Sequence, residues 1–143
     1  MKNNCNIKIL SNNAIDNIAI LTQQLNPNKE LSVLKAYLKE MFSYNNYYCF
    51  GLFMNNKLIG VSSGWETIKL YSGKQLELDN VVIDTEYRSK GYGQLFFKLI
   101  EEWVKKNYFN TIELNTYVKN SASHKFYFNN GMKIIGYHFQ KEI

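Results

Sequence analysis

The stretch Glu77–Gly93, ELDNVVIDTEYRSKGYG, brings together residue types that can hold an anion. A strand-like apolar pattern runs into a loop carrying Arg88, Gly91 and Gly93, and the loop opens a long amphipathic stretch. Glycines allow close backbone approach, and the first turn of a helix aims N–H groups at the same place. The result is a cradle suited to a phosphate or pyrophosphate, with the Arg88 charge beside it. It is not a P-loop, because no Gly-Lys-Ser/Thr follows. It is not the dinucleotide fingerprint G-x-G-x-x-G either, because Phe96 takes the place of the third glycine. Read in isolation, the loop is equally a strand-to-helix turn.

The elements that must position this loop follow from hydrophobic periodicity. Gln75–Ile83 predicts a strand, and the stretch after Lys90 predicts a helix to about Tyr108, with Leu95, Phe96, Leu99, Ile100, Trp103 and Val104 as its core stripe. Ile7 and Ile9 suit a first strand, and residues 13–25 a helix. A second helix is expected to start with Asn26 as cap and Pro27 at its first position, carrying Leu31, Leu34, Leu38 and Met41. Residues 47–54 and Lys57–Trp65 read as a hairpin around Asn55-Asn56. Thr111–Thr116, Ser121–Asn129 and Lys133–Phe139 complete the order as strand, helix and strand. Hairpins plus one strand-helix-strand crossover predict an α/β chain, with a mixed sheet and helices on both faces.

Length and composition narrow the function. At 143 residues the chain suits a single domain with its own core. The net charge of +5 includes a single arginine, Arg88, and the lysines are dispersed, which argues against nucleic acid as partner. No apolar run approaches the ~20 residues of a membrane span. Met1–Asn6 is polar and lacks the apolar core of a signal sequence. Cys5 and Cys49 stand apart without metal-site spacing and read as free thiols of a reducing cytoplasm.

Arg88-x-x-Gly91-x-Gly93 after Val-Val-Ile resembles the acetyl-CoA signature of the GNAT superfamily of N-acetyltransferases, whose loop reads Arg/Gln-x-x-Gly-x-Gly/Ala. A second stretch is similar to the family's later motif, Asn-x-x-Ala-x-x-apolar-Tyr followed by Gly-aromatic: Asn120, Ser123, Phe126, Tyr127, Gly131 and Met132 occupy those places. Ser123 replaces the usual Ala and Met132 the usual Phe. The likeness runs from about residue 47 to 139; residues 1–46 fit in outline, and in the family that part shapes the acceptor site. The resemblance implies one N-acetyltransferase domain over residues 1–143, with a mostly antiparallel mixed sheet of about six to seven strands whose central strands splay apart.

It also implies roles. Backbone groups of Val81, Val82 and Ile83 would pair with pantetheine as a pseudo-strand, and a nearby N–H would polarise the thioester carbonyl. Arg88, Ser89, Lys90, Gly91, Tyr92, Gly93 and Gln94 would hold the pyrophosphate. Asn120 and Ser123 would meet the pantetheine arm, Asn120 being equally suited to cap a helix. An alkyl amine with pKa near 10.4 must lose a proton before attack, so a base is expected. Some family members carry a glutamate base 11 residues before the first loop residue, the place of Glu77 here. Asp79 is the next candidate, or a binder of a cationic acceptor. Tyr127 stands at the family's general-acid position, facing the leaving thiolate. The expected activity is direct acetyl transfer from acetyl-CoA to a primary amine, with no metal and with a small amine as acceptor. Alternatives are a protein amine as acceptor, or a non-catalytic acyl-CoA-binding or sensing domain. The expected state is a cytoplasmic monomer or homodimer.

Overall fold

Alternating apolar residues in the middle of the chain build a sheet, and the computed structural model describes it within residues 4–143. Met1–Asn3, where the polar N-terminal stretch begins, lie outside the described residues. The chain forms two units, one reaching to Glu113 and one from Leu114 to Ile143.

The sheet consists of β1 (Cys5–Ile9), β2 (Tyr47–Met54), β3 (Lys57–Lys69), β4 (Gly73–Ile83) and β5 (Thr111–Leu114), side by side in sequence order, all in the first unit but for Leu114 at the end of β5. The pairings from β1 through β4 are antiparallel. Asn55 and Asn56 close the β2–β3 hairpin at φ 48° and 64°, left-handed values that asparagine tolerates and a two-residue hairpin turn requires. Three helices join the sheet: α1 (Ile15–Gln23), α2 (Leu31–Met41) and α3 (Tyr92–Lys106).

Both sheet faces are covered. Ile18, Ala19 and Leu21 of α1 and Leu34 and Leu38 of α2 form one core with Tyr47, Cys49, Val61 and Val82. On the other face the Trp103 ring of α3 lies 4.9 Å from that of Phe50. α3 buries Phe96, Phe97, Ile100 and Val104, while Leu95, Leu99 and Trp103 of the expected stripe are half-buried. Phe97 therefore joins a stripe wider than the periodicity indicated.

Two expectations are corrected. α2 begins at Leu31 after Glu30, four residues beyond Pro27. The Lys29 N–H bonds the Asn26 carbonyl at 3.0 Å, so Asn26–Lys29 closes as a turn. Pro27 takes the second position of that turn, where its fixed φ fits as well as in a first helical turn. Among the described residues the sheet has five strands instead of six or seven, and Lys133–Phe139 forms no strand. No ladder pairs that segment among the described residues, and Ile134, Ile135, Tyr137 and Phe139 are exposed.

The second unit contains α4 (Ser121–Asn129), whose ends are both closed by the chain itself. The Asn120 side chain accepts the Ser123 N–H at 3.2 Å. At the other end Gly131 takes φ 78°, and the Gly131 and Met132 N–H groups bond the Phe128 and Tyr127 carbonyls, each at 3.1 Å. This is the left-handed helix stop that glycine favours.

Candidate active site

The centre of the first unit is an irregularity in β4. Ser63 pairs with Asp79 and Val61 with Val82, so Asn80 and Val81 together face Ser62. Asn80 absorbs the extra residue at φ 51°, which makes a β-bulge. The bulge is tied down from its own side chains. Asp79 accepts the Asn80 backbone N–H at 2.8 Å and the Asn80 amide at 3.2 Å. The Asn80 amide also reaches Ser63 Oγ at 3.5 Å, and Ser63 Oγ lies 2.8 Å from the Tyr47 hydroxyl. Burial pushes the Tyr47 phenol well above its usual range and the neighbouring Cys49 thiol up to about 12, so both stay protonated and unreactive at neutral pH.

Downstream, β4 delivers Val81, Val82 and Ile83 into the loop. Val82 is buried, while Val81 and Ile83 are half-buried. Asp84 accepts the Glu86 N–H at 3.2 Å and nucleates a short 3₁₀ turn over Thr85–Tyr87. Arg88 Nε donates to the Ile83 carbonyl at 2.9 Å, and its Nη2 reaches Gln24 Oε1 at 3.3 Å. Gln24 also accepts the Thr85 N–H at 3.1 Å, so one side chain after α1 braces both the loop and its arginine. Lys90 Nζ donates to the Glu86 carbonyl at 2.8 Å, and Lys57 pairs with the Glu86 carboxylate at 3.4 Å. Three cations thus flank the loop.

The loop ends in two left-handed residues, Ser89 at φ 59° and Gly91 at φ 80°. Gly91 is the N-cap of α3 and offers no side-chain cap, and the first turn of that helix, with Tyr92, Gly93 and Gln94, contains no acid. The positive end of the α3 dipole therefore faces the cation-flanked loop with no carboxylate from its own first turn. An anion is the ligand such an end suits.

Glu77 and Asp79 stand two residues apart on β4, with Glu77 half-buried opposite Trp65 and Asp79 exposed. Tyr37, Glu40 and Met41 of α2, with Tyr44 just beyond it, meet Trp65, Asp79 and Asn80 around a cleft of about 370 Å³. The sequence reading missed the four α2-side residues and Trp65, as well as Gln24 and Lys57. Met41 falls in the helical stripe of Leu34 and Leu38 and so reads as core, and nothing local singles out Tyr37, Glu40 or Tyr44 as lining a cleft. Nothing local marks Gln24, whose partner Arg88 is 64 residues away.

The other site candidates lie in the second unit. Asn120 caps α4 and Ser123 supplies the capped N–H. Tyr127 sits on α4 with its ring 5.2 Å from that of Phe126, and burial pushes its phenol upward. His124 Nε2 lies 3.0 Å from the Tyr117 carbonyl, which gives it a local structural partner. Among the described residues no group of three or more His, Cys, Asp or Glu is placed to hold a metal ion. No helix there is long and apolar enough to cross a membrane.

Comparison with known proteins identifies the family and the fold. Residues 16–132 match the acetyltransferase (GNAT) family. The uncharacterized N-acetyltransferase YhdJ of Bacillus subtilis (strain 168) is 24% identical over 99 residues, which span 68% of this chain and 70% of that protein. A possible acetyltransferase from Clostridium difficile 630 shares the fold at a TM-score of 0.84 and 18% identity, over 97% of each chain. The aminoglycoside N-acetyltransferase AAC(6')-Iy in complex with CoA shares it at 0.82 and 14%, over 97% of this chain and 94% of the other.

Proposed function

The chain belongs to the acetyltransferase (GNAT) family, and from that premise we propose that it transfers an acetyl group from acetyl-CoA to a primary amine by direct attack. The observation that carries this reading is the opening of α3: a left-handed Gly91 without a side-chain cap, no acid in the first turn, and Arg88 and Lys90 in the loop that leads into it. A pyrophosphate suits that end by charge and by backbone donors. That AAC(6')-Iy was solved with CoA and acts on aminoglycosides supports both the coenzyme and an amine acceptor.

Bound acetyl-CoA supplies the thioester carbonyl as electrophile and the thiolate as leaving group. The bulge at Asn80 shifts β4 by one residue, and past it Val82 and Ile83 pair with Val61 and Gly60 of β3, so backbone groups of Val81, Val82 and Ile83 would receive the pantetheine arm on the opposite edge of β4. Glu77 is the base in this scheme. Asp79, which accepts two hydrogen bonds from Asn80, is the next candidate. Tyr127 carries its proton at neutral pH, as any tyrosine does, and in this scheme gives it to the departing sulfur, although burial raises the phenol and makes it the weaker acid. Asn120 and Ser123, at the start of the same helix, are the candidates for the pantetheine amide.

The test is acetyl-CoA consumption, followed as free thiol, over a panel of alkyl diamines, amino acids, aminoglycosides and lysine peptides. Turnover with a small amine is the expected result. Thermal stabilisation by acetyl-CoA without turnover on any amine would leave a binding domain and remove the transfer step.

A further inference from the structure

The cleft between α2 and the bulged end of β4 has a charge opposite to that of the chain. The whole sequence carries +5, yet the residues around the cleft include two carboxylates, Glu40 and Asp79, and no lysine or arginine. The remaining walls are mainly aromatic, from Tyr37, Tyr44 and Trp65. Resting on the acetyl-transfer reading, we propose that this cleft selects a compact aliphatic diamine, with Glu40 and Asp79 holding the ammonium group that is not acetylated beside the three rings.

Four features support that ligand. Aromatic rings attract cations through their π faces, tryptophan most strongly, and two carboxylates add Coulomb attraction. The receptor is held in place. Trp65 is fixed by Tyr47 at 4.8 Å and Tyr44 at 5.8 Å between ring centroids, and Asp79 by its two bonds to Asn80. The volume of about 370 Å³ sits near the lower end of small-molecule sites, roughly 300–1,000 Å³. A short linear dication fits within it. Finally, Asn80 belongs both to the cleft and to the bulge, so the cleft borders Val81–Ile83, the segment proposed to receive pantetheine.

The chemistry balances with one nitrogen charged throughout. The other attacks as the neutral amine, forming the C–N bond as the C–S bond breaks. Its surplus proton leaves through Glu77, and the thiolate takes one from Tyr127. The products are a singly cationic N-acetyl diamine and free CoA.

The experiment compares 1,4-diaminobutane with 1-aminobutane as acceptors, and measures by calorimetry the binding of the bis-trimethylammonium analogue of the diamine, which cannot be acetylated. The expected kcat/KM for the diamine exceeds that of the monoamine by about tenfold or more. Glu40→Gln should raise the diamine KM roughly tenfold with kcat within about twofold, and should weaken the analogue to a similar degree. Tyr44→Leu, at an exposed position that leaves the core intact, should weaken the analogue about threefold. Equal use of both acceptors with no effect of Glu40→Gln overturns the cation site and leaves acetyl transfer standing. Binding of the analogue weakened by Glu40→Gln, with no amine ever acetylated, keeps the cation site and removes the transfer reading. No binding of the analogue at millimolar concentration overturns the cation site whatever the turnover.

Discussion

α3 and α4 start in opposite ways. α4 is capped by its own Asn120, which accepts the Ser123 N–H, and it stops on a glycine suited to the left-handed turn. α3 starts on Gly91, with no side chain to offer and no acid in its first turn, and it stops on Tyr108 in the left-handed region at φ 61°. Each helix leaves several N–H groups without intrahelical partners. The chain meets that need at α4 from within, whereas at α3 it gathers cations around the opening. A helix end satisfied by its own residues is built for folding, and one opened by glycine beside Arg88 and Lys90 is built for a visiting anion.

The sharpest way to break this contrast is at Gly91. Valine there is strained at φ 80° and fills the approach to the helix end, so Gly91→Val should weaken acetyl-CoA by more than about 100-fold in calorimetry while the protein stays folded. Gly91→Asn tolerates the left-handed backbone and adds an α4-like cap. It should weaken acetyl-CoA by roughly tenfold, and unchanged affinity in both variants would make the α3 opening a mere turn.

Next is Tyr127→Phe, which keeps the ring on α4 and removes only the hydroxyl. We expect a loss of roughly 10²-fold in kcat with Tm nearly unchanged, since the interaction is made chiefly in the transition state. Because burial raises the phenol above its usual value near 10, its proton is retained to a higher pH, and any alkaline fall in kcat due to this group should lie above pH 10. Parallel losses of Tm and kcat would assign Tyr127 to packing alone.

Glu77→Gln should cost about tenfold in turnover at pH 7. The deficit should shrink as pH approaches the amine pKa near 10, where neutral acceptor is already abundant. A pH–rate profile parallel to wild type would remove Glu77 as base.

The smallest effects separate folding from function at the helix ends. Asn120→Ala should cost about 1 kcal/mol in chemical denaturation. Tyr108→Gly should stabilise by up to about 1 kcal/mol, since the 87%-exposed side chain contributes little packing and glycine relieves the left-handed strain.

What the sequence revealed depended on distance along the chain. The α3 opening was legible because Arg88, Gly91 and Gly93 lie within six residues, and the α4 cap because Asn120 and Ser123 are three apart. The hairpin at Asn55-Asn56 was legible for the same reason. The splay of the central strands was expected only through a family likeness, and nothing marked Asn80 as a bulge, because its supports, Ser63 and Tyr47, come from other strands. Gln24 and the cleft residues of α2 were invisible for that reason too. Pro27 misled because a proline suits a turn's second position and a helix's first position equally. The segment Lys133–Phe139 has strand-like composition, but propensity alone makes no strand without a neighbour to share its hydrogen bonds.

The extra residue at Asn80 has a consequence for how this protein can change in length. β4 carries a frameshift: Asp79 and Val82 are three apart, yet they pair with Ser63 and Val61, which are two apart. Everything after the bulge is counted in a different phase from everything before it. Deleting Asn80 would bring Asp79 and Val82 two apart, as their partners are, and would leave Val82, which is 3% exposed, opposite Val61 in the core it shares with Leu38. A deletion in the exposed turn before Gly73 changes no such phase. A chain lacking Asn80 should therefore keep its cooperative melt, as should one shortened by a residue at Tyr71, but only the first straightens β4 beside Val81–Ile83 and should weaken acetyl-CoA in calorimetry.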